Sequence, residues 1–429
     1  MISYRARRRQ RVADRESGQA SMVTVAMFMM LFAAIAVSFT FVVISASRQA
    51  LNDSLQSSAK IAAESGVEDA KRLIVYCYNK RQLGGGYSSA DDQKLCSQVI
   101  GKLSDELEGM KCDYILEQMK NKAGIDGVEE EDNGRGYRVR VGNNGGGKNE
   151  NNEYYQCLKI ATKTDNYQGV VNNLGKSVIV PLRVVDGNNQ AAVIDRLEIE
   201  WHRNVTGNDG DNPADMNGAR GTGLPPAGTW NNSNRPAVLR VERVGVPKGG
   251  FNLNDLAGSD TALTLRPSES GNGKGGYRLG NYEPQYPSGN KDKIAPNSQY
   301  HKGVPIVEAY CQSQSGSNKE YACKTIFNKE SLYTDKTYYL RINAIYRSTH
   351  FKITAYQGKN KLYFDGVQPL VDVTGRSSDS FSRIQARLKP SFDKNADSTN
   401  WWPEYVIDTN GKVCKDIEVQ YDTGEDRCK

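Results

Sequence analysis

The pattern of apolar and polar positions divides the chain into a helical N-terminal part and a long remainder of alternating strands. Residues 18–47 carry no charge, and 22–44 are almost wholly apolar. About 20 apolar residues are enough to cross a bilayer as a helix. A run of this length exceeds the ~7–15-residue core of a secretory signal and therefore predicts a membrane-spanning helix.

A cluster of arginines stands directly ahead of this apolar run. Its members are Arg5, Arg7, Arg8, Arg9, Arg11 and Arg15. Positive charge next to a membrane segment resists translocation. The sequence therefore predicts a single span, with the residues after Arg48 outside the cell.

The helical pattern continues beyond the apolar run. Small and apolar residues recur at spacings of three or four: Leu51, Leu55, Ala59, Ala62, Gly66, Ala70 and Leu73. Such spacing places them on one face of a helix, with charged and amide side chains on the other. Since no Pro or Gly-rich break occurs before 83–86, a helix from Ala20 to about Cys77 would be about 90 Å long at 1.5 Å per residue.

Strand patterns follow two shorter helical patterns at 95–107 and 114–119. Leu197, Ile199 and Trp201 alternate with polar residues, which buries one face of a sheet. Further strands are expected at 177–185, 238–244, 338–346, 351–355, 383–388 and 417–421. Half-polar strands of this kind favour antiparallel pairing. The predicted fold class is α+β: a long N-terminal transmembrane helix followed by an antiparallel β-sheet ectodomain with long loops.

Three Gly- and Asn-rich stretches are expected to be loops, at 143–153, 204–235 and 271–299. Segments of this composition bury too little apolar area to offset the conformational entropy that they would lose on ordering. The stretch 204–235 either divides the ectodomain into two lobes or forms a long insertion in one.

The net charge of the chain does not indicate a surface that binds nucleic acid. Of a formal net charge of +6, the first 18 residues contribute six Arg against Asp14 and Glu16, or +4, which leaves +2 for the remainder. A near-neutral chain outside the cell excludes the electrostatic pattern of a nucleic-acid-binding protein.

Candidate chemistry is sparse. Asp209, Asp211 and Asp215 alternate in a Gly- and Asn-rich loop that could offer oxygen ligands to calcium, but no acidic residue closes it at EF-hand spacing. A solvated loop is therefore the expectation. No Gly-x-Ser-x-Gly elbow and no phosphate-binding Gly loop is found, so we predict neither an enzyme, nor a cofactor, nor a metal site.

Two motifs carry a resemblance to a known family. The junction Ser17-Gly18-Gln19-Ala20-Ser21-Met22-Val23 resembles a prepilin-peptidase site, with a basic leader ending in Gly before an apolar helix. The segment Ala62-Ala63-Glu64-Ser65-Gly66-Val67-Glu68-Asp69-Ala70 is similar to a motif of PilX-type minor pilins. The chain thus resembles a minor pilin of type IV pili over about residues 10 to 75. Gln19 and Val23 replace the Phe and Glu that most major pilins have there, which fits the minor group.

The resemblance implies a domain organisation and a set of site residues. Residues 1–18 would be a leader cleaved between Gly18 and Gln19, 19–80 the pilin-type helix, and 81–429 the extracellular part. The residues it assigns to assembly of the helix are Ala62, Ala63, Glu64, Gly66 and Ala70. For Glu64, an exposed charge on the helix surface is as good an interpretation as an assembly contact.

The function implied is structural. The helix would pack into the filament core, and the ectodomain would be displayed for assembly or adhesion. The implied partners are other pilin subunits, the prepilin peptidase and assembly machinery, the membrane, and a host-cell surface ligand. The location would be the membrane and then the extracellular filament. An alternative is a cell-surface adhesin held by an uncleaved signal anchor.

Eight cysteines all follow the apolar run, and their predicted position outside the cell favours disulfides. Sequence alone leaves the connectivity open, with free buried thiols as an alternative. We expect neighbours in the sequence to pair: Cys77–Cys96, Cys112–Cys157, Cys311–Cys323 and Cys414–Cys428. The resemblance supports the last pair, because pilins commonly close a C-terminal loop in this way. A competing arrangement joins Cys414 or Cys428 to Cys311 or Cys323.

Overall fold

The computed structural model begins with one very long helix. It describes residues 3–82, 89–120, 128–130, 136–141, 153–173, 177–207, 210–217, 219, 228, 230, 234–247, 261–268, 306–313, 320–328 and 336–388. Helix α1 comprises Ser3–Gln82. Its side chains are described from position 22 onward. The predicted continuous helix is confirmed, because no Pro interrupts the hydrogen-bond ladder.

Two shorter helices follow, α2 (Ala90–Val99) and α3 (Asp113–Lys120), with a 3-10 turn at Ser104–Glu106 between them. Ser89 caps α2, since its hydroxyl accepts a hydrogen bond from the backbone N–H of Asp92 at 3.1 Å. A serine side chain at this position satisfies one of the unpaired N–H groups of the first turn. The helical patterns of this region are therefore confirmed in type, with shifted ends.

The described remainder is mostly β-structure. The strands are β1 (Val128–Glu130), β2 (Tyr137–Arg140), β3 (Glu153–Thr164), β4 (Tyr167–Val171), β5 (Val178–Pro181), β6 (Val184–Val185), β7 (Arg196–Arg203), β8 (Val238–Pro247), β9 (Thr261–Ser268), β10 (Ile306–Tyr310), β11 (Tyr321–Asn328), β12 (Lys336–Ile345), β13 (Thr349–Gln357), β14 (Asn360–Lys361), β15 (Tyr363–Ser377) and β16 (Ser380–Arg387). Among the described residues they form three sheets. The strand orders are β1-β2-β3-β15-β16 with β6 beside β15, β10-β9-β8-β12-β5, and β11-β7-β13-β14 with β4 beside β13.

The chain divides into two compact units. Unit 1 comprises Met1–Gly66, Asp126–Cys157 and Val373–Ile384. Its sheet is antiparallel at β2 and β3, where Val139 faces Tyr155. Both of these side chains are buried, which places the apolar face of this sheet on one side.

Unit 2 comprises Val67–Ile125, Leu158–Asp372 and Gln385–Lys429. Its apolar core draws residues from all three sheets and includes Trp201, Trp230 and Phe351, all with no exposed area. The indole Nε1 of Trp201 donates to the carbonyl of Ala237 at 2.9 Å, so the buried ring leaves no polar atom unpaired.

The strand predictions at 177–185, 196–201, 238–244, 338–346, 351–355 and 383–388 are confirmed by β5 to β8, β12, β13 and β16. The segment 417–421 lies outside the described residues. The pairs β1–β2, β2–β3, β4–β13, β5–β12, β6–β15, β7–β11, β7–β13, β8–β9, β8–β12 and β13–β14 are antiparallel as predicted, whereas β9 and β10 are parallel. Sequence patterns could not show this exception, because two strands joined by a long connection carry no local signal of their direction.

The stretch 204–235 differs from the expected solvated loop. Its described residues include Ala214, Met216, Ala219 and Trp230, all of which are buried in the core of unit 2. Its described residues lie within that unit. A few apolar side chains spaced through a Gly- and Asn-rich segment are enough to fix it to a core, although its average composition is polar. The loop expected at 271–299 lies outside the described residues.

Candidate functional site

The first half of α1 presents an apolar surface. Every residue from 22 to 50 is exposed, and the large side chains include Phe32 at 67% and Phe41 at 75% exposure. Within the described part of the chain, α1 is the one helix long and apolar enough to cross a membrane. Single exposed apolar residues are ordinary, whereas a continuous apolar surface marks contact with lipid or protein.

A threonine in this segment is compatible with apolar surroundings. The hydroxyl of Thr40 donates to the carbonyl of Ala36 at 2.8 Å, one turn earlier. A helix pairs its own backbone groups in the same way. The hydroxyl therefore adds little cost when this surface leaves water.

The residues predicted for cleavage, Gly18 and Gln19, lie within the bounds of α1. They belong to the part of α1 whose side chains are not described. Their role in processing stays a prediction.

Two small residues of the predicted assembly set, Ala63 and Gly66, lie against the chain's own sheet in unit 1. Ala59, Ala62 and Ala63 have no exposed area. The backbone of Gly375 in β15 faces this surface. A Cβ added at Gly375 would collide with the Ala59 carbonyl oxygen and would stand 3.0 Å from the Cα of Ala63. Small residues on both sides allow the helix and strand backbones to approach this closely.

Gly66 makes a second close contact in unit 1. A Cβ added there would stand 2.6 Å from Cγ1 of Val373 and 2.9 Å from Cγ of Tyr155. Real Cβ atoms do not approach their neighbours so closely, so the absence of a side chain at Gly66 is what lets the helix lie on β3 and β15. Ala70, in unit 2, is also fully buried.

Of the five residues predicted for assembly, Glu64 is the exposed one. Its carboxylate lies 3.8 Å from the ammonium of Lys60, and the two side chains are 57% and 64% exposed. Pairs of this kind contribute little to stability, with a median of about 0–1 kcal/mol. Glu64 and Lys60 thus belong to a charged surface on the side of α1 that faces away from its own sheet.

A buried tyrosine that no sequence pattern singles out anchors the end of α1 in unit 2. The hydroxyl of Tyr78 donates to Asp365 at 3.2 Å, and Arg183 holds the same carboxylate through two hydrogen bonds. Burial is the main cause that raises the pKa of Tyr78, so the phenol stays protonated. Gly366 has φ of 69° and no room for a Cβ, which would stand 2.6 Å from the Tyr78 hydroxyl.

Two of the expected disulfides are present in the described chain. Cys77 is joined to Cys96 in unit 2 with a Cα–Cα distance of 5.2 Å, which fixes the end of α1 to α2. Cys311 is joined to Cys323 with a Cα–Cα distance of 4.2 Å. Cys112 and Cys157 are also disulfide-bonded.

Cys414 and Cys428 lie outside the described residues. Since Cys311 and Cys323 are bonded to each other, the competing arrangement with either of them is wrong. The pairing of Cys414 with Cys428 stays a prediction.

Asp211, a candidate calcium ligand, holds the loop after β7 to the start of β13. Its carboxylate accepts hydrogen bonds at 2.9 Å from the backbone N–H of Arg203 and of His350, from the Thr349 hydroxyl and from Nδ1 of His350. Asp209 lies outside the described residues, and Asp215 accepts a hydrogen bond from the N–H of Asn217. In the described ranges no three His, Cys, Asp or Glu side chains are grouped to hold a metal ion.

His202 lies beside this carboxylate and has no exposed area. Its Nε2 is 3.1 Å from the carbonyl oxygen of Asn212, and its Nδ1 has no hydrogen-bond partner. Burial is the main cause that lowers the pKa of His202 to about 4. The ring is therefore neutral at pH 7, with Nε2 carrying the proton that it donates to Asn212.

The features that bear on function are those of the chain itself: the apolar first half of α1, its small-residue face, and the charged surface at Lys60 and Glu64. Comparisons with protein-family models, with curated proteins and with solved structures give no match to this chain.

Proposed function

We propose that this chain is a structural minor subunit of a type IV pilus. It is made with a basic leader, residues 1–18, which is removed between Gly18 and Gln19. Before assembly, the apolar half of α1 is a single membrane span with the ectodomain outside the cell. In the filament, the same surface packs against the helices of neighbouring subunits, which replace lipid.

The observation that carries this proposal is the change of surroundings along one uninterrupted helix. Residues 22–50 of α1 are exposed and mostly apolar, whereas Ala59, Ala63 and Gly66 pack on the chain's own sheet. A helix that served only as a core element would be buried along its length. A simple anchor has no need of a rigid continuation into the folded domain, whereas a filament subunit needs one to fix the position of its ectodomain.

The motif residues have different roles in this proposal. Ala63 and Gly66 set the position of the helix on its own sheet, and Ala62 is buried. The exposed pair Lys60 and Glu64 faces outward and is available to neighbouring subunits. Its charges lose little by changing partners, because exposed ion pairs are weak.

Fractionation of cells distinguishes this function from the alternative of an uncleaved surface anchor. A filament subunit is found in filaments sheared from the cell surface and has the size of the processed chain. Removal of the prepilin peptidase leaves the larger precursor in the membrane and none in the sheared fraction. An adhesin held by a signal anchor stays in the membrane fraction at one size in both strains.

A further inference from the structure

The sheet of unit 1 has an outer face rich in arginine and aromatic side chains. Val139 and Tyr155 lie on the face that packs on α1, so the residues that alternate with them face the other way. On that outer face Arg140 is paired in register with Tyr154. Arg138 lies over the Tyr154 ring at 4.9 Å, and Arg376 lies over the same ring at 5.6 Å.

An exposed aromatic ring extends this surface along β16. Phe381 is 53% exposed, and the guanidinium of Arg376 lies 5.0 Å from its ring centre. Arg383, two residues farther along the strand, is exposed on the same face. We call the outer-face residues Arg138, Arg140, Tyr154, Arg376, Phe381 and Arg383 the arginine face.

One carboxylate belongs to the arginine face as well. Glu129 contacts Arg140 at 3.0 Å and Arg138 at 3.4 Å, and its side chain is 36% exposed. Among the described side chains assigned to this face, four arginines stand against one glutamate, an excess of three positive charges. The remainder of the chain after the leader carries only +2 in total, so the excess is local.

We propose that the arginine face binds an acidic polysaccharide, a glycan that bears carboxylate or sulfate groups. Guanidinium groups bind carboxylates through paired hydrogen bonds. The exposed ring of Phe381 offers an apolar face for the C–H side of a sugar ring. The Glu129 carboxylate can only accept hydrogen bonds, so it suits the hydroxyl donors that a sugar supplies.

The same carboxylate disfavours nucleic acid. A phosphodiester backbone has no hydrogen-bond donor to offer to Glu129, whereas a polysaccharide has many hydroxyl groups. The Tyr154 ring is already covered by two guanidinium groups, which leaves Phe381 as the exposed ring rather than a row of rings for successive bases. The chemistry that matches the whole face is an anion that also carries hydroxyl groups. Binding by the arginine face does not depend on the role proposed for α1.

Binding of the full-length chain in detergent to immobilised polygalacturonate tests the proposal, with uncharged dextran as the comparison polymer. We expect binding to polygalacturonate at low salt, weakening as salt rises because the contact is ionic. Dextran should give no binding.

Two variants locate the contact. Arg140→Gln combined with Arg383→Gln should weaken binding at least about tenfold, or about 1.4 kcal/mol. Arg341→Gln is the matched control, because Arg341 and Arg140 are each 46% exposed and each pairs with a glutamate. Circular dichroism confirms that the variants are folded. Phe381→Ser should also weaken binding, since it removes the exposed ring and keeps every charge.

Several results would overturn the proposal. They are no binding to polygalacturonate, equal binding to dextran, or an equal loss in Arg341→Gln. Single-stranded DNA and free polygalacturonate can be compared as competitors at equal concentrations of negatively charged groups. Displacement at a lower concentration by the DNA would show a nucleic-acid surface instead. The comparison of polymers uses the unmodified chain and so stays decisive if a variant fails to fold.

Discussion

Gly375 lies so close to Ala63 that a Cβ added at Gly375 would stand 3.0 Å from the Ala63 Cα and closer still to its backbone nitrogen. This contact places a strand of unit 1 directly on the helix, with no side chain between the two backbones. The position of α1 on the unit 1 sheet therefore depends on glycine and alanine at the contact.

Replacement of Gly375 by alanine should destabilise the protein. The added methyl group meets backbone atoms of Ala59 and Ala63, which cannot rotate away as a side chain can. Overpacking of this kind costs about 1–3 kcal/mol, and the rigid neighbours place this site at the upper end. Urea unfolding measures the loss. Gly187→Ala is the control, because a Cβ at Gly187 meets nothing within 4 Å. Equal stability of the two variants would show that helix and strand separate freely.

Gly66→Leu should lower stability or block incorporation into filaments by the same mechanism. The nearest atoms to a Cβ at Gly66 belong to the side chains of Val373 and Tyr155. Val373→Ala removes one of them, so the double variant should recover part of the loss. A thermodynamic cycle of the two single variants and the double variant measures this coupling. Additive losses, or a Gly66→Leu protein with normal stability and incorporation, would contradict the contact.

Acid should weaken the protein through His202. Its pKa is lowered to about 4 in the fold from 6.5, chiefly by burial, with Arg347 and His350 also disfavouring its charge and Asp211 favouring it. The unfolded chain therefore takes up a proton at a higher pH than the folded chain does. Protonation of His202 therefore does not affect the free energy of unfolding above about pH 6.5. This free energy falls as the pH drops toward 4, by about 1.4 kcal/mol per pH unit at most.

The variant His202→Asn separates this titration from others. Asparagine tolerates the positive φ of 64° at this position and carries no titratable group. Unfolding in urea between pH 7 and 4 should show a smaller loss of stability in the variant than in the natural protein. The same slope in both would assign the acid sensitivity to other groups.

The long helix and the confirmed strands could be predicted because their signal is local. Leu197, Ile199 and Trp201 alternate with polar residues and are buried on one face of β7, although Glu198 and His202 on its other face are buried as well. The apolar run of α1 and its small-residue face could be predicted in the same way. Each of these patterns needs only neighbouring residues to be recognised.

What the sequence could not show depends on distant residues. The contact of Gly375 with Ala63 joins positions more than three hundred residues apart, and a glycine within a strand pattern indicates a close approach without naming its partner. Asp211 was recognised as a candidate metal ligand, whereas its hydrogen bonds to His350 and Thr349 come from a strand far along the chain. Trp230 reaches the core from a segment whose composition is that of a loop.

The C-terminal cysteines allow a direct test of the predicted closing loop. We expect Cys414 and Cys428 to be joined, which would stabilise the fold by roughly 3 kcal/mol for a loop of about 15 residues by lowering the entropy of the unfolded chain. Peptide mapping without reduction should yield a fragment linking the two, alongside the Cys311–Cys323 fragment as an internal reference. Either C-terminal cysteine found free or joined elsewhere removes the predicted bond.

Processing at the predicted junction should depend on the size of residue 18. Gly18→Val places a branched side chain at the position that a membrane-facing peptidase must accommodate, so the precursor should accumulate. Ala13→Val is the control, since it adds the same kind of bulk within the leader. Maturation of Gly18→Val at the normal size would show that the junction lies elsewhere.

The N-terminal sequence of the chain isolated from cells tests the central claim most directly. The proposed pilin subunit begins at Gln19, with the arginine-rich leader absent and the apolar helix intact. A chain that retains Met1, or one that begins beyond the apolar run, would contradict the proposal.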